Sequence, residues 1–261
     1  EGTNYIRPIG KKLSQEILAK NVTRLNKESG QFEPIKHAAD VIKLAGQLGD
    51  IDLVSEFGLD KGFVDALDSV SRLSIAVGIE ALRDAGLPLV RHYRTTSTGK
   101  KLPERWGLPK VLAERTGIVV GSAFPGLDCL IEDVSEHVAS RYAARSLKAI
   151  EELVDKCTAT LDDENQKEAL RKIFTQEAQH LKDEAGAYQL SRKFLFRALS
   201  MAHAQLAQTI LAQGPNTQVN AACAAGPQAI GIAHDWLRQG RCDRVLVVTC
   251  DNTTSKTMLP Y

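Results

Sequence analysis

The stretch TQVNAACAAGPQAIGIAHDWLRQGRCDRVLVVT, residues 217–249, decides the fold class. It opens with a short strand-like run at 217–222, continues in a helical pattern that Gly240 ends, and closes with the apolar run Arg244–Thr249. A strand, a helix and a second strand joined by tight links form a βαβ unit, which closes right-handed onto a parallel sheet. The sequence therefore predicts an α/β fold.

Two upstream segments extend this pattern. Gly117–Gly121 is an all-apolar run bounded by glycines, which is the composition of a buried parallel strand. Before it, apolar residues recur at helical spacing from Asp68, which can cap a helix, to Gly86, which stops it. Residues 87–115, rich in basic, proline and glycine positions, predict a loop between the two elements.

The rest of the chain divides into a helical part and an uninformative part. Residues 127–195 keep a helical period that breaks only at 158–163, and Phe196–Ala212 predicts a further helix. Amphipathic patterning favours a helical excursion on the surface of an α/β core over the alternative, a hairpin that docks a partner. Residues 1–50 are poorly assigned, with a weak helical pattern around 42–48. We therefore expect one domain at 51–261 with a helical insertion at about 127–195.

Composition excludes several classes of function. The chain has 33 basic and 32 acidic side chains and a formal net charge of +1, so it has no electrostatic basis for binding nucleic acid. Its longest apolar runs, such as Val245–Val248, are far shorter than the roughly 20 residues of a membrane span. The five cysteines include no CxxC pair, which argues against a disulfide framework and a zinc ribbon. We expect a cytosolic protein that binds neither nucleic acid nor membranes.

Cys223 is the candidate nucleophile. It lies where the predicted strand gives way to a helix, and its neighbours are alanines and a glycine. Small neighbours let the backbone turn abruptly and leave room for an acyl chain, while the positive end of the helix dipole favours a thiolate. From the residues alone, a buried and inert cysteine is an equally good interpretation, because free cysteine is among the most buried residue types.

Several motifs resemble the β-ketoacyl synthases of fatty acid and polyketide assembly. NAACAAG at 220–226 and RQGRCD at 238–243 resemble the active-site segment of that family. Other stretches resemble its upstream helix, its next core strand, and the helix and turn before the active site: EFG at 56–58, ALD at 66–68, EALRDAG at 80–86, TGIVVGS at 116–122, MAHAQLA at 201–207 and GP at 214–215. The resemblance covers about 50–122 and 195–252, and it covers neither the first fifty residues nor 127–190.

The resemblance implies a fold, an activity and partners. The fold is the N-terminal half of the thiolase-like, layered α/β/α/β/α condensing fold, in a homodimer joined through strand 217–222. The activity is a decarboxylative Claisen condensation, in which Cys223 takes an acyl group from the phosphopantetheine arm of an acyl carrier protein and a malonyl-type extender attacks the thioester. The backbone N–H of Cys223 is then an oxyanion donor, and Phe124 lines the acyl pocket. No tightly bound cofactor is implied.

The same resemblance also implies groups that this sequence does not supply. The family uses two histidines, a lysine and a glycine-rich loop from a second half. No histidine here occupies a matching motif; the six are His37, His92, His137, His180, His203 and His234. We expect the chain as given to be the first half only, dependent on the remainder of the domain and inactive alone. The alternatives are a thiolase-like enzyme acting on acyl-CoA and a non-catalytic scaffold segment of a synthase.

Overall fold

The computed structural model describes residues 6–20, 22–46, 51–190 and 192–253. The chain forms two compact units, one of Glu1–Asp128 with Leu199–Tyr261 and one of Cys129–Ala198. The strands are β1 (Ile6–Pro8), β2 (Thr23–Leu25), β3 (Phe32–Pro34), β4 (Leu44–Gly46), β5 (Val90–Thr95), β6 (Lys101–Gly107), β7 (Thr116–Gly121), β8 (Asn216–Val219) and β9 (Arg244–Thr249). The helices are α1 (Lys11–Leu18), α2 (Lys61–Val64), α3 (Ser69–Asp84), α4 (Lys110–Ala113), α5 (Leu127–Ala159), α6 (Glu164–Glu177), α7 (Gln179–Glu184), α8 (Arg192–Leu199), α9 (Ala202–Ile210) and α10 (Ala225–Arg238), with a short 3-10 turn at Ala38–Asp40.

A three-stranded parallel sheet with the order β8-β7-β9 forms the centre of the first unit. Every residue of β7 is buried, and this strand pairs in parallel with β8 on one side and with β9 on the other. The predicted α/β class is confirmed, and so are the strands at β7 and β9. The strand predicted at 217–222 is shorter, because the backbone leaves the sheet after Val219.

The two faces of the sheet pack against different helices. Successive residues of a strand point to opposite faces. Ile118 and Val120 therefore share a core cluster with residues of α3 and α9, such as Ile79 and Leu206. Val119 instead packs with alanines of α10. The observed layering is helix, sheet, helix, and the larger five-layered arrangement stays a prediction.

The capped helix predicted from Asp68 to Gly86 is confirmed as α3. The Asp68 side chain accepts a hydrogen bond from the Ser71 backbone N–H at 3.0 Å and one from its hydroxyl at 2.6 Å. Gly86 has φ +67°, a left-handed conformation that favours glycine and ends the helix. This cap holds α3 at the point where it begins to cover the sheet.

The loop predicted at 87–115 is wrong. β5 and β6 form an antiparallel hairpin there, followed by α4. The turn is closed by the Gly99 N–H, which donates to the Thr96 carbonyl oxygen at 2.9 Å, with Gly99 at φ +81°. Basic residues do not prevent strand pairing here, because the side chains of a two-stranded hairpin stay in contact with water.

Two helix predictions are also wrong. Leu44–Gly46 pairs as β4 with β1, whereas the weak pattern at 42–48 predicts a helix, and Leu48 lies outside the described residues. Apolar residues two positions apart fit a strand as well as a helix. The single helix predicted at Phe196–Ala212 is interrupted at Ser200, which has φ +35° and separates α8 from α9. No glycine or proline marks that break.

The second unit is built from helices. α5 ends at Ala159 and α6 begins at Glu164, so the predicted break at 158–163 is confirmed. Inside this unit, the Asp133 carboxylate accepts hydrogen bonds from the Tyr188 hydroxyl at 2.5 Å and from Arg197 Nη1 at 2.8 Å. Burial, followed by the bond to Asp133, raises the pKa of Tyr188 to about 12. The roles of this unit as an insertion or a docking element stay predictions.

Candidate active site

Three polar segments meet at one edge of the parallel sheet. Because β7, β8 and β9 are parallel, their carboxyl ends lie on the same side. The segments that follow them begin at Ser122, Asn220 and Cys250 respectively. We call this side the carboxyl edge. In open α/β sheets it is the side on which ligands bind.

The backbone turns sharply at Asn220–Ala224, which we call the elbow. Ala222 has φ +48°, a left-handed conformation that is uncommon for a residue with a side chain. The N–H groups of Ala224 and Ala225 donate back to the carbonyl oxygens of Ala221 and Ala222 at 2.9 and 3.0 Å. Cys223 is thereby placed at the apex of a tight turn, directly before the first residues of α10.

Cys223 is exposed at this apex. The alternative of a buried and inert cysteine is therefore wrong for its position, while its role as a nucleophile stays a prediction. The backbone of Cys223 takes part in an isolated β-bridge with Ala221. The positive end of the α10 dipole lies beside it. An exposed sulfur beside the positive end of a helix dipole suits attack on a carbonyl carbon.

The other cysteines of the first unit lie in different surroundings. Cys250 follows β9, and its sulfur lies 3.3 Å from Ser74 Oγ. Burial raises the pKa of the Cys250 thiol to about 11. Burial also raises the pKa of the Cys242 thiol. Both therefore keep their protons at neutral pH, and of the three cysteines in this unit Cys223 is the exposed one.

Asp251 fixes the segment that follows β7. Its carboxylate accepts hydrogen bonds from the Ser122 hydroxyl at 2.7 Å, the Ala123 N–H at 3.0 Å and the Phe124 N–H at 2.9 Å. All three donors belong to consecutive residues, which we call the Ser122–Phe124 segment. A single side chain after β9 thus holds the backbone that leaves β7.

Asn220 connects this segment to the elbow. Its Nδ2 donates to the Ala123 carbonyl oxygen at 3.0 Å, and its Oδ1 accepts from the Ala222 N–H at 3.2 Å. One amide side chain therefore bonds the residue before Phe124 and the residue before Cys223. The three strand ends are joined by side chains as well as by the sheet.

The elbow and Asp251 lie within a region that is similar to a known family. Residues 162–259 match the family model described as beta-ketoacyl synthase, N-terminal domain. Asn220, Cys223 and Asp251 all fall inside the match. This part of the chain is similar to the N-terminal domain of β-ketoacyl synthases. The resemblance to the family is confirmed, as a partial domain. No curated protein matches the chain.

The bounds of the family match differ from those predicted. It begins at 162, inside the helical segment 127–190 that the sequence motifs leave unmatched, and it does not include 51–122. The ketosynthase match therefore reaches into α6, α7 and α8 as well as the βαβ unit. The similarity at about 50–122 stays a prediction.

The remaining predicted site residue is Phe124. Its backbone N–H is held by Asp251 at the carboxyl edge, outside the matched residues 162–259, and the residue is 42% exposed. The structure therefore places Phe124 and Cys223 on the same edge. Its role in lining an acyl pocket stays a prediction. Among the described residues, no histidine forms a hydrogen bond with Cys223.

The roles of Ser122, Asn220 and Asp251 are not among those predicted from the sequence. Each is polar and comes within two residues of the end of a parallel strand. That placement is a usable signal, because the ends of adjacent parallel strands converge. The three residues form the polar frame of the edge that carries Cys223.

Two further features of the described residues concern metal ligands and helix hydrophobicity. Across 6–20, 22–46, 51–190 and 192–253, no cluster of three His, Cys, Asp or Glu side chains is arranged to bind a metal. Within those same ranges, no helix is both long and apolar enough to span a bilayer. The cytosolic location stays a prediction.

Proposed function

We propose that this chain is part of a β-ketoacyl synthase whose nucleophile is Cys223. The observation that carries the proposal is the exposed sulfur at the elbow before α10, inside the region that matches the ketosynthase family. The proposed reaction joins an acyl group, held as a thioester on Cys223, to a malonyl-type extender on an acyl carrier protein. The thiolase-like fold, of which this segment would be the N-terminal half, is part of the same proposal.

The chemistry runs in two steps. The Cys223 thiolate attacks the carbonyl carbon of an acyl thioester on the carrier's phosphopantetheine arm, and the backbone N–H of Cys223 donates to the oxyanion. The carrier thiolate leaves, so one thioester is exchanged for another. The extender then loses carbon dioxide, and its carbanion attacks the Cys223 thioester. A carbon–carbon bond forms as the Cys223 thiolate is released.

The partners follow from the same proposal. The carrier protein supplies the phosphopantetheine arm, so no tightly bound cofactor is needed. The remainder of the ketosynthase domain supplies the histidines that the chemistry requires. A second copy would pair along 217–222, and β8 lies at one edge of the sheet, where its pairing among the described residues is with β7 alone. An edge strand with unpaired backbone groups suits pairing with another chain.

Mass spectrometry of the acylated chain tests this proposal. In the complete ketosynthase domain, we expect incubation with an acyl carrier protein thioester to add one acyl mass to the peptide that contains Cys223. The Cys223→Ala chain should gain none, and Cys157→Ser, which removes another exposed thiol, should behave as the parent. Equal acylation of Cys157 and Cys223 would contradict the proposal. Faster transfer from acyl-CoA than from the carrier would favour the thiolase-like alternative.

A further inference from the structure

We propose that the hairpin of β5 and β6 is a docking surface for an acidic segment of another protein, which carries a large apolar side chain among its carboxylates. The hairpin lies outside the matched residues 162–259, so the family match does not account for it. The inference goes beyond the proposed function and involves no chemistry at Cys223.

The first observation is that the hairpin concentrates positive charge. Residues 90–107 contain five Lys and Arg residues and one Glu, whereas the whole chain has a net charge of +1. The Glu104 carboxylate lies 3.7 Å from Arg105. Among the described residues, no carboxylate forms an ion pair with Arg94, Lys100 or Lys101, and all three are exposed. Exposed cations without a partner attract an acidic surface and speed its association.

The second observation is that one side of the hairpin combines cations with aromatic rings. Arg91 is paired with Trp106 across the two strands, and Tyr93 is paired with Pro103. Residues that are paired across two strands lie on the same side of a sheet, as do residues two positions apart on one strand. Arg91, Tyr93, Lys101 and Trp106 therefore share one side, which we call the outer face.

The aromatic rings of the outer face are open to water. Tyr93 is 59% exposed and Trp106 is 50% exposed. The opposite side of the hairpin is turned towards the protein, because His92 Nε2 lies 2.9 Å from the Leu108 carbonyl oxygen. On the outer face, Arg91 lies over the Trp106 ring, 5.8 Å from its centre. Aromatic residues and arginine are the side chains in which protein interfaces are enriched.

The third observation is a cavity of about 550 Å³ beside Trp106. Its apolar walls include Phe57, Ile79, Leu87, Leu89 and Trp106. Arg83 also lines it, but its guanidinium pairs with Glu80 at 2.5 Å and lies 5.4 Å from the centre of the Phe57 ring. The Glu56 carboxylate at the wall disfavours a second carboxylate inside. The cavity therefore suits an apolar side chain, and it adjoins the outer face through Trp106.

The cavity favours a protein segment over a nucleic acid. A single-stranded nucleic acid also suits a surface of cations and aromatic rings. It has no aliphatic side chain, however, to fill an apolar cavity whose arginine is already paired. An acidic protein segment supplies carboxylates for the outer face and a large apolar side chain for the cavity. The net charge of +1 also gives the chain little general attraction for a phosphate backbone.

Fluorescence anisotropy with two synthetic peptides tests the proposal on the full chain. The probe is a short fluorescein-labelled peptide of glutamates with one central leucine, and its matched control has alanine in place of the leucine. We expect the leucine peptide to bind about tenfold more tightly, because its side chain is buried in the cavity. In Trp106→Ala the two peptides should bind alike, since a wall of the cavity is removed. Lys101→Ala should weaken both peptides equally, by about two- to fivefold.

Two exposed residues of the second unit provide matched controls. Lys172→Ala removes a cation and Tyr142→Ala removes a ring, and both should keep the parent affinities. Far-UV circular dichroism shows whether each variant folds. If Trp106→Ala does not fold, the comparison of the two peptides on the parent chain and on Lys101→Ala still decides the outcome.

Three results would overturn the proposal. Equal binding of the two peptides by the parent chain would exclude the cavity from the docking surface. Unchanged affinity in Lys101→Ala would exclude the cations of the outer face. Tighter binding of a thymidine oligonucleotide than of the leucine peptide, with the same dependence on Trp106 and Lys101, would assign the outer face to nucleic acid. Because neither peptide reacts with a thiol, all three results are independent of whether Cys223 is acylated.

Discussion

Gly121 and Ala225 are in direct backbone contact. A Cβ atom at Gly121 would lie 2.9 Å from the Ala225 carbonyl oxygen and 3.1 Å from Thr249 Cγ2. The contact brings the end of the central strand against the first residue of α10, two positions after Cys223. The close approach of β7 to the helix, together with the turn at Ala222, therefore determines where the sulfur lies.

Gly121→Ala is expected to displace the start of α10 and slow the alkylation of Cys223. The opposing atom belongs to the backbone and cannot move aside as a flexible side chain would, so we also expect a loss of about 1–3 kcal/mol in the free energy of unfolding. Urea unfolding and the rate of iodoacetamide reaction at Cys223 measure the two effects. Gly231→Ala is the control: it lies inside α10 with no atom within 4 Å of an added Cβ, and it should stabilise the helix slightly. If Gly121→Ala and Gly231→Ala had the same free energy of unfolding and the same rate of Cys223 alkylation, the close contact of Gly121 would not matter.

Four of the five thiols of the folded chain, those other than Cys129, are expected to react with Ellman's reagent in two groups at pH 8. Cys157 and Cys223 are exposed and should react first. Cys242 is buried, and burial raises the pKa of the Cys250 thiol to about 11, so both should stay protonated at pH 8 and react only when the chain unfolds. Cys223→Ser should remove one thiol from the fast group. Fast reaction of Cys250 in the folded chain would show that its surroundings are open to water.

The sequence predicts the elements whose pattern is local. β7, β9, α3 and α10 follow from short apolar runs, a capping aspartate and the glycines that stop the helices. The hairpin of β5 and β6 is not predictable in this way, because its two strands carry many charged residues and show no regular spacing of apolar residues. The break at Ser200 lacks a glycine or proline signal. Cys223 is recognisable as a candidate nucleophile from its small neighbours. The hydrogen bond between Ser122 and Asp251 is not predictable in this way, because the two residues are 129 positions apart in the chain and only the sheet brings them together.

Asp68→Ala is expected to cost about 1–2 kcal/mol of unfolding free energy, in the range of a lost N-cap. Asp68 is fully buried and bonds both the N–H and the hydroxyl of Ser71, so its removal leaves buried donors unsatisfied. Asp60→Ala removes an aspartate that caps the four-residue α2 at an exposed position and should cost less. Urea denaturation of the two variants and the parent gives the comparison. If Asp60→Ala lowered the free energy of unfolding more than Asp68→Ala does, burial of the capping residue would not determine how much the cap stabilises the fold.

Tyr188 is expected to ionise last among the tyrosines of the second unit, Tyr142 and Tyr188. Burial and the hydrogen bond to the Asp133 carboxylate raise its pKa to about 12, above the ordinary value of 10.0. A group whose pKa is higher in the folded state stabilises that state below its unfolded pKa and loses this contribution as the pH rises through the folded pKa. The stabilising effect should therefore be complete below about pH 10 and should decline towards pH 12.

Absorbance at 295 nm during an alkaline titration follows the ionisation, and Tyr188→Phe should remove the last step. Tyr142→Phe is the matched control, since Tyr142 is 72% exposed, and it should leave that step in place. If Tyr142→Phe removes the last step instead, the late ionisation belongs to Tyr142 and the prediction for Tyr188 is wrong.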